Sequence, residues 1–145
     1  MTILMADDDP EDRMMTRKAL EASQGVGDLR LVGDGEELMD YLMRREKYAD
    51  PLSSPRPGII LLDLNMPKKD GHAALEEIKT HPEIRRIPVV VLTTSNVNED
   101  IKLSYERGAN SFITKPETYQ GLVEAMKCFG EYWSEIATLP GTTER

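Results

Sequence analysis

Ile59-Ile60-Leu61-Leu62-Asp63-Leu64-Asn65-Met66-Pro67 is an unbroken apolar run that stops on a carboxylate and then turns through a proline. Apolar residues without polar alternation predict a strand buried on both faces, as between two helical layers. The same pattern recurs at Ile3-Leu4-Met5-Ala6 and Val89-Val90-Val91-Leu92. Leu29-Arg30-Leu31-Val32 and Ser111-Phe112-Ile113-Thr114 are less uniformly apolar and read as peripheral strands.

Segments of helical period separate these five runs. The first has Asp9 as N-cap, Pro10 at the first helical position, and Glu11 and Asp12 at the positive end of the helix dipole; it extends to about Ala22. The second follows Gly33-Asp34-Gly35 and carries Leu38, Tyr41 and Leu42, and the third carries Ala74, Leu75 and Ile78 between Gly71 and Pro82. A fourth, over about residues 99 to 107 with Ile101 and Tyr105, ends at Gly108. The fifth begins near Thr118 and carries Leu122, Met126, Phe129, Trp133 and Ile136 at helical steps, longer than one sheet face needs. The three prolines between Asp50 and Gly58 forbid regular structure there and predict an ordered surface excursion.

Five repeats of strand and helix predict an α/β fold, a doubly wound parallel sheet with helices on both faces. In such open sheets ligands bind beyond the carboxyl ends of the strands. The residues placed there are Asp7, Asp8, Asp63, Thr93 and Lys115.

The 145 residues suit one domain. Eighteen Lys and Arg against twenty-six Asp and Glu give a net charge of -8, which repels a nucleic-acid backbone. Arg44-Arg45 and Lys68-Lys69 sit among acids and read as solvated faces. A single cysteine, Cys128, precludes an intrachain disulfide and fits a reducing, cytoplasmic setting. The short apolar start before Asp7 is no signal peptide, and no apolar run is long enough to span a bilayer.

Asp7-Asp8-Asp9 places three carboxylates at the end of a buried strand, where they repel one another unless a cation intervenes or some act only as caps. With Asp9 capping, Asp7 and Asp8 face the crevice, and Asp63 from the adjacent strand completes an oxygen-rich site for a hard cation. Thr93 and Lys115 supply a hydroxyl donor and a positive charge, the complement needed by a phosphoryl group. The set suits in-line phosphoryl transfer to a carboxylate nucleophile, giving an acyl phosphate on Asp63. Such a labile, charged group serves as a timed signal.

These motifs, with Asp70-Gly71, Val91-Leu92-Thr93-Thr94-Ser95 and Gly108-Ala109 through Lys115-Pro116, resemble the receiver domains of two-component response regulators over residues 2 to 137. The resemblance implies the flavodoxin-like strand order 2-1-3-4-5. It implies Asp7, Asp8, Asp63 and the Asn65 backbone carbonyl as ligands of Mg2+ or Mn2+, with Asp63 as phosphoacceptor for a sensor histidine kinase. It further implies a switch coupling Thr93 to Phe112, and a cis peptide at Lys115-Pro116. On this reading residues 1 to 140 are a single receiver domain with an extended last helix, Gly141 to Arg145 a flexible tail, and no output domain follows. The protein catalyses its own modification rather than acting as a conventional enzyme. The proline-rich segment and long last helix look similar to regulators paired with bacterial phytochromes. Phe129, Tyr132, Trp133 and Ile136 then read as a homodimer interface. His72 and His81 lie off the strand ends and read as surface residues.

Three other classes compete. A haloacid-dehalogenase-type phosphatase makes Asp7 the nucleophile and Asp9 its acid, but leaves Asp63 and its turn without a role. A flavodoxin-like cofactor binder needs a first loop that donates to phosphate, which three aspartates do not. A non-phosphorylated pseudo-receiver is expected to lack one of the five site residues, and all five are present.

Overall fold

The structure is a computed structural model that describes residues 1–23 and 27–140. The proposed tail, 141–145, lies outside the described residues. Five strands, β1 (Thr2–Ala6), β2 (Asp28–Val32), β3 (Ile59–Leu62), β4 (Val89–Thr93) and β5 (Ser111–Thr114), form one parallel sheet in the order β2-β1-β3-β4-β5. Helices α1 (Pro10–Ser23), α2 (Gly35–Leu42), α3 (Gly71–Thr80), α4 (Asn98–Glu106) and α5 (Tyr119–Glu131) alternate with them. The peripheral strands of the sequence reading are the two edges.

Alternate side chains of each strand serve opposite faces. Ile3, Met5, Ile59, Leu61, Val90 and Leu92 pack against Ala19 and Leu20 of α1 and Leu122, Met126 and Phe129 of α5. Leu4, Ala6, Ile60, Leu62, Val89 and Val91 meet α2 and α3 on the other side. The central strands are buried on both faces, which is why their sequences do not alternate.

Helix starts follow the expected capping chemistry. Asp34, Asp70 and Thr118 accept backbone N–H groups at the starts of α2, α3 and α5, and Asp9 accepts the Glu11 N–H. The 50–58 excursion is tied down by Tyr41, whose hydroxyl donates to the Pro55 carbonyl at 2.7 Å, and by Arg30, which donates to the Ser53 carbonyl at 2.7 Å.

Four features differ from the sequence reading. Helix α4 is held by little apolar burial: Tyr105 is exposed, Ile101 half-buried, and its buried residue is Ser104. The last helix does not continue as an α-helix but widens into a π-turn over Tyr132–Ile136, with the Ala137 N–H donating to the Tyr132 carbonyl. That wider turn abandons the 3.6-residue period, so Ile136 faces solvent while Phe129 is buried in the core. No peptide bond among the described residues is cis; Lys115-Pro116 adopts the trans form, intrinsically favoured by about 0.5–1 kcal/mol. His72 is half-buried and bonded to Asp100, because the start of α3 packs beside α4 instead of facing water.

Candidate functional site

Backbone pairing just past the strand ends places the acidic groups side by side. The Asp7 N–H donates to the Val32 carbonyl at 3.1 Å, and the Asp63 N–H donates to the Ala6 carbonyl at 3.0 Å. On the other side of the crevice the Lys115 N–H donates to the Thr93 carbonyl at 2.7 Å. Residues from four strand ends therefore converge without any loop having to reach far.

Asp7 and Asp63 are buried and Asp8 is exposed, and the carboxylates of all three lie within 4.8 Å of one another. Lys115 donates from Nζ to Asp7 at 2.7 Å, to Asp12 at 2.8 Å and to Asp63 at 3.3 Å. Three carboxylates thus meet one ammonium, and Asp8 lies beside two of them, an excess of negative charge that suits a divalent cation. Burial pushes the Asp7 carboxyl above its ordinary range, against the opposing hydrogen bonds from Lys115 and the Asp9 N–H. Burial also acts to lower the Lys115 ammonium, but hydrogen bonds to Asp12 and Asp7 and the charge of Asp63 outweigh it and hold it above its ordinary value.

Thr93 is fully buried, and its hydroxyl is the only buried hydroxyl without a hydrogen-bond partner among the described residues. An orphaned buried donor at the end of β4, on the residue whose carbonyl accepts the Lys115 N–H, suits a role as donor to a phosphoryl oxygen. Asn65 is exposed in the turn after Asp63, and its N–H donates to Asp63 Oδ1 at 3.2 Å. Gly71 closes that turn: its N–H donates to the Leu64 carbonyl at 2.9 Å, and a Cβ there would meet the Asp63 carbonyl oxygen at 2.5 Å. A recess of about 190 Å³ opens beside Lys115, lined among others by Asp12, Thr16, Pro116 and Leu122.

The Asp9 backbone N–H donates to Asp7 Oδ1 at 2.9 Å, but its side chain stands outside the cluster, its Oδ1 accepting the Glu11 N–H at 2.9 Å. The acid that the phosphatase reading requires thus serves as a helix cap outside the carboxylate cluster. Phe112 pairs in register with Val91 and packs partly buried against the core on the α2–α3 side. Of the four last-helix residues, Phe129 is consumed by the core and Trp133 packs partly buried against it, while Tyr132 and Ile136 are 49% and 69% exposed.

Two contacts escaped the sequence reading. Asp12 is the second partner of Lys115, and Arg13 donates to the Asp7 carbonyl at 2.6 Å. Asp12 stands three residues after the Asp9 cap, a position whose side chain reaches back over the helix start, and that spacing was the available signal.

The sequence profile of the response regulator receiver domain matches residues 3–127. Response regulator Rcp1 of Synechocystis sp. is 40% identical over 138 residues, 95% of this chain and 92% of that protein. Among solved structures, the phosphorylated cyanobacterial phytochrome response regulator RcpA superposes with a TM-score of 0.90 at 41% identity, covering 97% of this chain and 98% of that one. The Mn2+-bound form of Rcp1 superposes with a TM-score of 0.88 at 38% identity, covering 97% and 99% of the two chains.

Proposed function

The chain belongs to the response regulator receiver domain family, and from that premise we propose that Asp63 is the residue through which it takes part in phosphorylation-based two-component signalling. Residues 1 to 140 act as a single receiver domain. Receiver domains bind Mg2+ or Mn2+, and here the Asp7, Asp8 and Asp63 carboxylates would hold the ion, with the Asn65 backbone carbonyl as a further ligand. When bound, the cation supplies positive charge against the phosphoryl oxygens.

A carboxylate oxygen of Asp63 attacks the phosphorus of a histidine kinase's phosphohistidine. The new O–P bond forms as the P–N bond breaks, and the departing imidazole takes a proton from solvent. Lys115 already touches Asp63 and neutralises one oxygen of the incoming group, while the free Thr93 hydroxyl donates to another. Lys115 and Thr93 thereby promote phosphorylation of Asp63, and water attacking the phosphorus later breaks the O–P bond, releasing inorganic phosphate and restoring the carboxylate. Withdrawal of Thr93 toward the phosphoryl group opens space beside Val91 and Phe112, letting the Phe112 ring move inward as the readout.

The unpartnered, fully buried hydroxyl of Thr93 carries this reading. Incubation with magnesium and acetyl phosphate, followed by intact mass, tests it: wild type gains one phosphoryl group and Asp63→Asn gains none. An equal adduct on the variant overturns it.

The phosphodonor is a cytoplasmic sensor histidine kinase of the phytochrome type, by similarity to the phytochrome response regulator RcpA. Exposed Tyr132 and Ile136, beyond the last α-turn, support self-association through this end. Light scattering at micromolar concentration should give a dimer that Ile136→Asp disperses; a wild-type monomer overturns that part.

A further inference from the structure

We propose that His72 and Asp100 are positioning residues for Thr93, latching the segment that follows it in the resting arrangement and thereby setting how fast Asp63 takes up a phosphoryl group. The inference rests on the roles given above to Asp63 and Thr93.

Because the Thr93 hydroxyl has no partner, moving it toward a phosphoryl oxygen breaks no hydrogen bond at that hydroxyl. Resistance must come from what holds the chain on either side. Before Thr93 the strand is paired to β3 and β5. After it the segment is pinned at Ser95. The Ser95 hydroxyl donates to Asp100 Oδ2 at 2.6 Å and accepts the Val97 N–H at 3.3 Å, while the Ser95 carbonyl accepts the Thr114 hydroxyl at 3.4 Å. The second Asp100 oxygen is engaged by His72 Nε2 at 3.0 Å, from the first turn of α3.

Both oxygens of one carboxylate are therefore occupied, one by the segment after Thr93 and one by a different helix. A carboxylate only accepts, so Nε2 carries the imidazole proton. The other ring nitrogen, Nδ1, is buried without a hydrogen-bond partner. An aliphatic side chain would fill the same space without an orphaned nitrogen, so packing alone gives no reason for an imidazole there. Helix α4 offers little other restraint at its start: its N-cap, Val97, makes no side-chain cap bond, and its buried residue is Ser104. Polar contacts are thus a large part of what fixes the segment between Thr93 and α4, and breaking them frees Thr93 to engage the phosphoryl group.

The test is the rate of phosphorylation of the full chain by acetyl phosphate with magnesium, followed by intact mass. It compares wild type, His72→Leu, Ser95→Ala, their double variant and His72→Gln, with unfolding midpoints in parallel. Releasing one hydrogen-bonded restraint should raise the rate about three- to tenfold in each single variant. The double variant should be no faster than the singles, because both break one chain. His72→Gln, whose amide can still donate to Asp100, should stay within about twofold of wild type. Lowered stability alone would change the midpoints without this pattern. Rates unchanged or slowed in both single variants, multiplied in the double variant, or raised as much in His72→Gln as in His72→Leu overturn the latch. Absence of any adduct on wild type overturns the Asp63 reading itself, and the latch with it.

Discussion

The ammonium of Lys115 lies nearer to Asp12, at 2.8 Å, than to Asp63, at 3.3 Å. The group proposed to meet the incoming phosphoryl oxygens is thus shared at rest with a carboxylate on α1 that stands outside the proposed transfer. To serve the phosphoryl group fully, Lys115 has to give up or weaken that contact.

Asp12→Asn should therefore speed phosphorylation of Asp63. A charge-assisted hydrogen bond is worth about 1.5–3 kcal/mol, and the 35% exposure of the Asp12 side chain reduces this to roughly 0.5–1 kcal/mol. The expected gain is about two- to fivefold in the rate with acetyl phosphate. A slower variant would mean that Asp12 positions Lys115 productively instead of holding it back.

The crowding of Asp7, Asp8 and Asp63 within 4.8 Å makes a separate prediction about stability. Magnesium at a hundredfold excess over its dissociation constant should stabilise the fold by about 2.7 kcal/mol, raising the unfolding midpoint by roughly 5–10 °C. Asp8 is exposed, so Asp8→Asn relieves repulsion at little packing cost. In a chelator it should melt at or slightly above the wild-type midpoint, and it should lose most of the response to magnesium. A full magnesium response in the variant would place the cation elsewhere.

Legibility in the sequence followed locality. Asp7, Asp63 and Thr93 each stand directly after an apolar run, and Asp8 and Lys115 one residue further on, so recognising the strands brought the candidate site's residues to one edge of the sheet. The sheet order follows from the same runs once the family resemblance is granted. Asp12 was hidden because its partner is 103 residues away and only the pitch of α1 brings them together. His72 looked like a solvated residue at a helix start, since the partner that half-buries it belongs to α4. Ile136 continued an apolar stripe on paper, but the π-turn over Tyr132–Ile136 breaks the period on which that stripe depends.

Away from the site, Tyr48 donates its hydroxyl to Glu37, which also accepts the Gly33 N–H at 2.7 Å. Burial acts to raise the Glu37 carboxyl, but these bonds and Lys47 outweigh it and hold it below its ordinary value. A carboxyl lowered in the folded state stabilises the fold above its unfolded pKa of about 4.3, and that contribution is lost as pH falls through the lower folded value. Tyr48→Phe should therefore cost about 1–2 kcal/mol near pH 7 and less near pH 3.5. Urea midpoints at the two pH values measure this, and an equal cost at both would show that the bond does not depend on the Glu37 charge.

Gly71 links the fold to Asp63, the proposed acceptor. A Cβ at this position would meet the Asp63 carbonyl oxygen and the Leu64 Cα at 2.5 Å, and neither backbone atom can yield as a flexible side chain does. Gly71→Ala must push α3 away from the strand end that presents Asp63, with a stability cost of roughly 2–4 kcal/mol. It should also slow phosphorylation, because the acceptor moves relative to Lys115. Gly108→Ala is the matched control. Gly108 has φ +103, so the alanine is strained, yet its nearest neighbour is the flexible side chain of Lys79, on the last turn of α3. That variant should lose about 1–2 kcal/mol and keep the wild-type phosphorylation rate. Equal slowing in both variants would mean that lost stability, not displacement of Asp63, governs the reaction.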